Sequence, residues 1–232
     1  MIFIYIYAMI KEIYKGLKID FHPASFIIGG SWIDEYAKEL GERKTFDFIY
    51  KNVTKHKNPV FVDIGANIGI YSFINKNKGF KIYSFEPNPV AFLALQENLK
   101  LNKTNTEIFN VACGSEDSDM FLTPIDIIWQ AGMVAITDQH TYLPTKVIRV
   151  EDYVKEKVTH VKIDIEGFEP EALKGMERIL KEDGPTLFLE INEGFLNAYQ
   201  WTKDGLVEYL QSLGYDEGKV IDLNNYIFEK SK

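Results

Sequence analysis

The chain has 232 residues, 46% of them hydrophobic and 26% charged, with 26 Lys/Arg against 34 Asp/Glu and a net charge of −8. That excludes a disordered, collagen-like or disulfide-stapled chain and suits one large α/β domain with an appendage. The acidic balance disfavours nucleic acid as substrate, and the single cysteine, Cys113, forms no internal disulfide and fits a reducing, cytoplasmic setting.

Charge is unevenly spread. Residues 1–58 carry 9 Lys/Arg and 7 Asp/Glu, a net of +2, and residues 59–232 carry 17 and 27, a net of −10. We read 1–57 as an N-terminal helical or apolar extension packed on the core, and 58–232 as the main domain. The opening MIFIYIYAMI is apolar but too short for a bilayer, which takes about 20 apolar residues. No Lys precedes Lys11, as a secretory signal would require. Three readings stay open for residues 1–10: an element packed on the domain, a peripheral contact with a membrane or partner, or a gene start at Met9 rather than Met1.

From residue 59, apolar runs alternate with segments of helical period. The runs Pro59–Ile64, Lys81–Phe85, Glu107–Ala112, Thr159–Ile165 and Thr186–Ile191 are predicted strands. Helices are predicted over Gly69–Lys76, Pro89–Lys100, Pro170–Lys181 and Lys203–Ser212. Leu173, Met176 and Leu180 form one apolar stripe, and Leu206, Leu210 and Leu213 another. Pro89 suits a first helical turn, with Asn88 as its cap. Residues 123–146 interrupt this rhythm and carry Trp129, Met133, His140 and Tyr142, which reads as a substrate lid or as a hairpin over the sheet edge. The alternation implies a doubly wound, mostly parallel sheet, whose ligand lies at the carboxyl ends of the strands.

Those strand ends carry the chemistry. The first runs Asp63-Ile64-Gly65-Ala66-Asn67-Ile68-Gly69, a glycine turn. It lacks the second glycine of a pyrophosphate-binding fingerprint and the Lys-Ser/Thr of a P-loop. Glu86, 23 residues after Asp63, stands where a carboxylate takes the two hydroxyls of a ribose, and Pro87 follows it. Capping of the next helix is the plainer role for Glu86. The third strand ends at Asn110-Val111-Ala112-Cys113-Gly114. Asn110 could bond a purine edge or a turn, and Ala112 and Gly114 leave room for a flat base. Together the three ends suit a nucleoside without a pyrophosphate, and S-adenosylmethionine is the foremost candidate.

The segments Val62–Gly69, Ser84–Pro87 and Val161–Glu169 (VKIDIEGFE), followed by Leu173-Lys174-Gly175, resemble the FkbM family of S-adenosylmethionine-dependent O-methyltransferases over roughly residues 58–193. The resemblance implies a class I, Rossmann-like methyltransferase fold. It implies that Asp63, Gly65, Asn67, Gly69 and Glu86 surround the cofactor, and that Asp164 and Glu166 lie where cofactor and substrate meet. Ala66, Pro87, Asn110 and Ala112 complete the expected cofactor set. No Asn/Asp-Pro-Pro-Tyr motif is present, which argues against methylation of an adenine amine.

Methyl transfer to oxygen needs the acceptor held in line and its proton removed. Asp164, Glu166 and Glu190 are the candidate catalytic residues. Asp164, Glu190 and Asn192 could instead hold Mg²⁺ through oxygen ligands, and plain helix capping is the alternative. Glu169 reads as a cap, and Lys162 as an edge or salt-bridging lysine. The four histidines have no metal-ligand spacing. The reading is an S-adenosylmethionine-dependent O-methyltransferase acting on a hydroxyl of a sugar, glycan, lipid or secondary metabolite. Its competitors are a non-catalytic nucleoside- or partner-binding domain, and a methyltransferase acting on protein or nucleic acid.

Overall fold

The computed structural model describes residues 9–14, 17–22, 43–123, 136–138 and 143–231. A seven-stranded sheet forms the centre. It contains β3 (Val60–Ile64), β4 (Lys81–Phe85), β5 (Thr106–Phe109), β10 (His160–Ile163), β11 (Thr186–Glu190), β12 (Lys219–Asp222) and β13 (Asn225–Phe228). Their spatial order is β12-β13-β11-β10-β3-β4-β5. The five strands from β11 to β5 are parallel, and β13 runs antiparallel to both β11 and β12. The chain reverses direction in the sheet between β3 and β10, so the ligand crevice opens above these two strands.

Side chains alternate across each strand. Phe61, Ile82 and Phe188 point to one face, where they meet Phe46, Ile49 and Val53 of α1 (Arg43–Lys55) and Ala91, Leu95 and Leu99 of α2 (Pro89–Asn102). Val62, Ile64, Val161, Ile163, Leu187 and Leu189 point to the other. There they meet α4 (Glu169–Lys174) and α6 (Lys203–Ser212). Leu173, Met176, Leu180, Leu206 and Leu210 are fully buried, as the two apolar stripes require. Each such side chain contributes roughly 1.5–3 kcal/mol.

Asn88 caps α2, its Oδ1 accepting from the Val90 amide at 3.0 Å, with Pro89 behind it. Other elements depart from the sequence reading. Gly69–Lys76 is not an α-helix: Gly69 sits at φ +98 and only Tyr71–Phe73 forms a 3₁₀ turn. The third strand is broken, because the Asn110 side chain turns back to the carbonyls of Glu86 and Pro87. β5 stays in the main sheet and β6 (Ala112–Cys113) joins a smaller one. The helix expected over Pro170–Lys181 ends at Lys174 and resumes as a π-turn over Ile179–Asp183. A Cβ on Gly175 would stand 1.8 Å from the Gly114 carbonyl oxygen, so the backbones touch at that break.

The smaller sheet has the order β6-β9-β7-β8, with β7 (Ser118–Leu122), β8 (Ile136–Thr137) and β9 (Leu143–Ile148). Within the expected lid, Trp129, Met133, His140 and Tyr142 lie outside the described residues, as do residues 1–8 of the apolar start. Further upstream, β1 (Met9–Tyr14) and β2 (Leu17–Phe21) form a hairpin. Leu17, Ile19 and Phe21 enter the core, and Asn98 and Asn102 of α2 bond the β2 backbone.

Candidate functional site

Parallel register builds the site row by row. Lys162, Asp63 and Ser84 are lateral partners on β10, β3 and β4, and all three face the α1/α2 side. Ser72 of the 3₁₀ turn reaches down to this row: its hydroxyl donates to Asp63 Oδ2 at 2.9 Å and lies 2.9 Å from Ser84 Oγ. Two residues further, where the strands end, the same face presents Glu190, Asp164, Gly65 and Glu86. Burial pushes Asp63 up to about 6, against the pull of Lys162 and the Ser72 bond. Asp63 Oδ1 has no hydrogen-bond partner among the described residues.

The glycine turn is tied to Glu86. Gly65 and Ala66 both donate their amides to the Phe85 carbonyl, at 3.0 Å each. Gly65 and Asn67 have φ of +81 and +51, so the chain turns back over the end of β4. Glu86 Oε2 accepts from the Asn67 amide at 2.7 Å, and Oε1 from the Asn88 amide at 2.8 Å. Each oxygen keeps a further lone pair for a ligand. Burial holds Glu86 up at about 7, and the Asn88 and Asn67 bonds work against that rise. Asn67 lines the cavity, and its Oδ1 is buried with no hydrogen-bond partner among the described residues.

Across the cavity stands an acidic wall. Asp164 Oδ2 lies 2.9 Å from Lys162 Nζ, which sits 4.7 Å over the Tyr71 ring centroid. Glu190, at the end of β11, shares a hydrogen bond with Asp164. Burial and then the Asp164 charge push Glu190 far above the carboxylate range. Burial would raise Asp164 too, but Lys162 and the two hydrogen bonds leave it below its ordinary value. Burial and mutual repulsion therefore favour one proton shared by the pair at neutral pH. Burial alone would lower Lys162, yet Asp164 and then Asp63 raise it, so it stays charged.

The loop after β10 is held by Glu169. Its Oε1 accepts from the Ile165 and Gly167 amides at 3.1 and 3.2 Å. This fixes Glu166 and Gly167 in left-handed conformations, φ +56 and +98, and turns Glu166 onto the wall. A side chain on Gly167 would strike the Phe195 carbonyl. Burial lifts Glu169 to about 7.

A cavity of about 320 Å³ lies between these walls, within the range of small-molecule sites, about 300–1,000 Å³. It brings together Gly65, Ala66, Asn67, Glu86, Pro87, Ala112, Asp164, Glu166, Glu190 and Asn192. Three expected residues stand off its wall. Asp63 turns under the floor to Ser72. Gly69 meets α2, where a Cβ would be 2.5 Å from Leu95. Asn110 donates its side-chain NH₂ to the Glu86 and Pro87 carbonyls and so pins that loop. Lys162 and Tyr71 line the cavity without having been singled out for it. Lys162 is 4% exposed and paired with Asp164, which excludes the edge alternative and leaves the salt-bridging one, because residues i and i+2 of a strand share a face.

The Mg²⁺ set does not fit. Lys162 already occupies Asp164 Oδ2, the Asp164–Glu190 pair shares a proton, and Asn192 Oδ1 accepts from the Gly194 amide as the cap of α5 (Glu193–Ala198). Among the described residues no three His, Cys, Asp or Glu side chains form a metal-holding group. No described helix is long and apolar enough to cross a membrane.

Comparison with known proteins agrees with this geometry. Residues 63–217 match the family model described as the methyltransferase FkbM domain. Methyltransferase sdnD of Sordaria araneosa is 40% identical over 82 residues, 31% of this chain and 32% of that protein. Hexuronic acid methyltransferase AglP of Haloferax volcanii is 30% identical over 129 residues, 54% of this chain and 53% of that protein. The matches thus span about a third to just over half the length of these curated relatives. The structure of methyltransferase FkbM from Methylobacillus flagellatus superposes with a TM-score of 0.51 at 23% identity, covering 74% of this chain and 43% of that one. Precorrin-6y C5,15-methyltransferase from Geobacter metallireducens gives 0.50 at 18% identity, covering 83% and 89%. The fold is that of the class I, Rossmann-like methyltransferases.

Proposed function

Because the chain belongs to the FkbM methyltransferase family, we propose that it transfers a methyl group from S-adenosylmethionine to a hydroxyl of a sugar, glycan, lipid or secondary metabolite. The observation that carries the reading is the Asp164–Glu190 carboxyl pair, which faces the same cavity as the Glu86 carboxylate. A module that only bound a nucleoside would use Glu86 and have no work for a proton-sharing pair. The relative named for hexuronic acid supports a sugar as acceptor.

S-adenosylmethionine, when bound, supplies a methyl group already activated as a sulfonium. Glu86 would accept from both ribose hydroxyls with the lone pairs that Asn67 and Asn88 leave open. At the other end the Asp164–Glu190 pair, once free of its own proton, would take the proton of the acceptor's hydroxyl. Lys162 fixes Asp164 from below, and Tyr71, Phe168, Phe195 and Ile136 supply apolar wall that limits water.

Titration calorimetry with S-adenosylmethionine and, separately, NAD⁺ tests the cofactor, and labelled-methyl transfer to a panel of alcohols tests the reaction. Micromolar binding of the first and none of the second is expected. Failure of S-adenosylmethionine to bind the folded protein would sink the proposal.

A further inference from the structure

Asn192 has one polar group left to spend. It lies two residues beyond Glu190 and is itself extended, with φ −110 and ψ 111. Leu187, Leu189 and Ile191 pack on the α4/α6 side of the sheet, and Phe188 on the other. Alternation then puts Glu190 and Asn192 on the Phe188 side, the face that carries Asp164. Both line the cavity, as does Phe195.

The acceptor atoms of Asn192 are committed. Its backbone carbonyl accepts from the Phe195 and Leu196 amides at 3.1 and 2.9 Å. Its Oδ1 accepts from the Gly194 amide at 3.0 Å. The side-chain NH₂ donates to nothing among the described residues. The Gly194 bond also fixes which end of the amide is which, because only the oxygen can accept from a backbone N–H. With that oxygen held, the NH₂ is held too. The backbone between the two residues is pinned as well, since the Ile191 amide donates to the Asn224 carbonyl at 2.8 Å. Helix capping accounts for the oxygen of Asn192 and leaves its donor without a task.

Strand geometry sets the spacing. Two residues of extended chain rise about 7 Å, so a carboxyl that exchanges a proton with Asp164 is followed on the same face by an N–H donor. A ring with two adjacent oxygens can engage both groups, and a lone hydroxyl only the first. We propose that Asn192 is a specificity-determining residue: its NH₂ donates to an oxygen adjoining the hydroxyl on which the Asp164–Glu190 pair acts, as in a vicinal diol. This rests on the O-methyl-transfer reading and narrows its substrate class. An acceptor without the second oxygen would desolvate the amide and leave it unpaired, the means by which a polar site rejects an analogue lacking one group.

Asn192→Asp and Asn192→Ser test this, because Asp and Ser cap helices as well as Asn does and neither carries the amide NH₂. Both should keep the parent's urea midpoint and its affinity for S-adenosylmethionine. The probes are trans-1,2- and trans-1,4-cyclohexanediol, isomers that differ in where the second oxygen stands. In the protein loaded with S-adenosylhomocysteine, the 1,2 isomer should move the side-chain ¹H–¹⁵N signals of Asn192, identified by their loss in Asn192→Asp. The 1,4 isomer should move them several-fold less, and equal shifts or none would overturn the proposal. In labelled-methyl transfer the parent should favour the 1,2 isomer at least tenfold in kcat/KM, and both variants should erase most of that preference. Loss confined to Asn192→Asp would be a charge effect on the neighbouring pair and would overturn the proposal too. If the 1,2 isomer moves the amide but is not methylated, the donor stands and the transfer reading falls. If it is methylated with the same preference in both variants, the donor falls and the transfer reading stands.

Discussion

A Cβ placed on Gly65 would stand 2.0 Å from the carbonyl oxygen of Asp164. The glycine turn after β3 and the acidic loop after β10 are therefore in backbone contact, and the cofactor and acceptor ends of the cavity form one unit. Gly65 also sits at φ +81, where a side chain is strained whatever the space. Gly65→Ala should cost about 3 kcal/mol or more, because neither backbone can yield cheaply. Urea unfolding measures this directly. A variant as stable as the parent would refute the close approach.

Glu86 links the turn to the ligand. In Glu86→Gln one amide oxygen remains, but the NH₂ group faces the Asn67 or Asn88 amide, donor against donor. The variant should lose stability as well as cofactor affinity. Each charged hydrogen bond removed costs about 1.5–3 kcal/mol, so binding of S-adenosylmethionine should weaken at least tenfold by calorimetry. Unchanged affinity in a folded variant would take Glu86 out of the site.

Stability should fall as pH rises through the neutral range. Burial lifts Asp63 from 3.8 to about 6, and Glu86 and Glu169 from 4.5 to about 7. Groups raised in this way bind protons more tightly when folded than when unfolded. Their stabilisation is fully present below the unfolded values and disappears as pH passes 6 to 7. The urea midpoint of the free protein should be lower at pH 8 than at pH 5.5, and saturating S-adenosylmethionine should reduce the loss. A midpoint that climbs over this interval would contradict the burial of these three carboxyls.

Much of this site could be read from the residues alone, for a physical reason. β3, β4, β10 and β11 are central parallel strands covered on both faces, so they appear as mostly apolar runs, broken by Asp63, Ser84 and Lys162. Their last residues then name themselves, and Asp164, Glu190, Gly65 and Glu86 meet on one wall. The β12–β13 hairpin stayed invisible because its strands mix polar and apolar residues at the sheet edge, with Val220 61% exposed. Ser72 escaped notice because its role depends on a 3₁₀ turn that only the packed structure sets. Lys162 had a legible signal, its i, i+2 relation to Asp164, but a lysine inside a strand invites an edge assignment unless its counter-charges are counted.

Activity should survive chelation. Lys162 Nζ stands at Asp164 Oδ2, where a metal would need to bind, and Asn192 is spent on capping α5. Dialysis against EDTA should leave the rate of an active preparation unchanged. A loss restored by Mg²⁺ would overturn the assignment of that position to the lysine.

The proton-sharing pair sets the expected pH dependence of turnover. A base must be free of its proton to act, and Glu190 holds one well above neutrality through burial and the charge of Asp164. The rate should therefore climb with pH past 7, as the pair gives up its last proton. A cationic cofactor bound in the same cavity would ease that loss and bring the limb to lower pH. Asp164→Asn or Glu190→Gln should lower kcat by about 10²–10⁴-fold, the usual worth of general-base help, while S-adenosylmethionine still binds. Glu190→Gln should also abolish the alkaline limb in whatever activity remains, because no shared proton is left to lose. An alkaline limb that persists in that variant would assign it to another group.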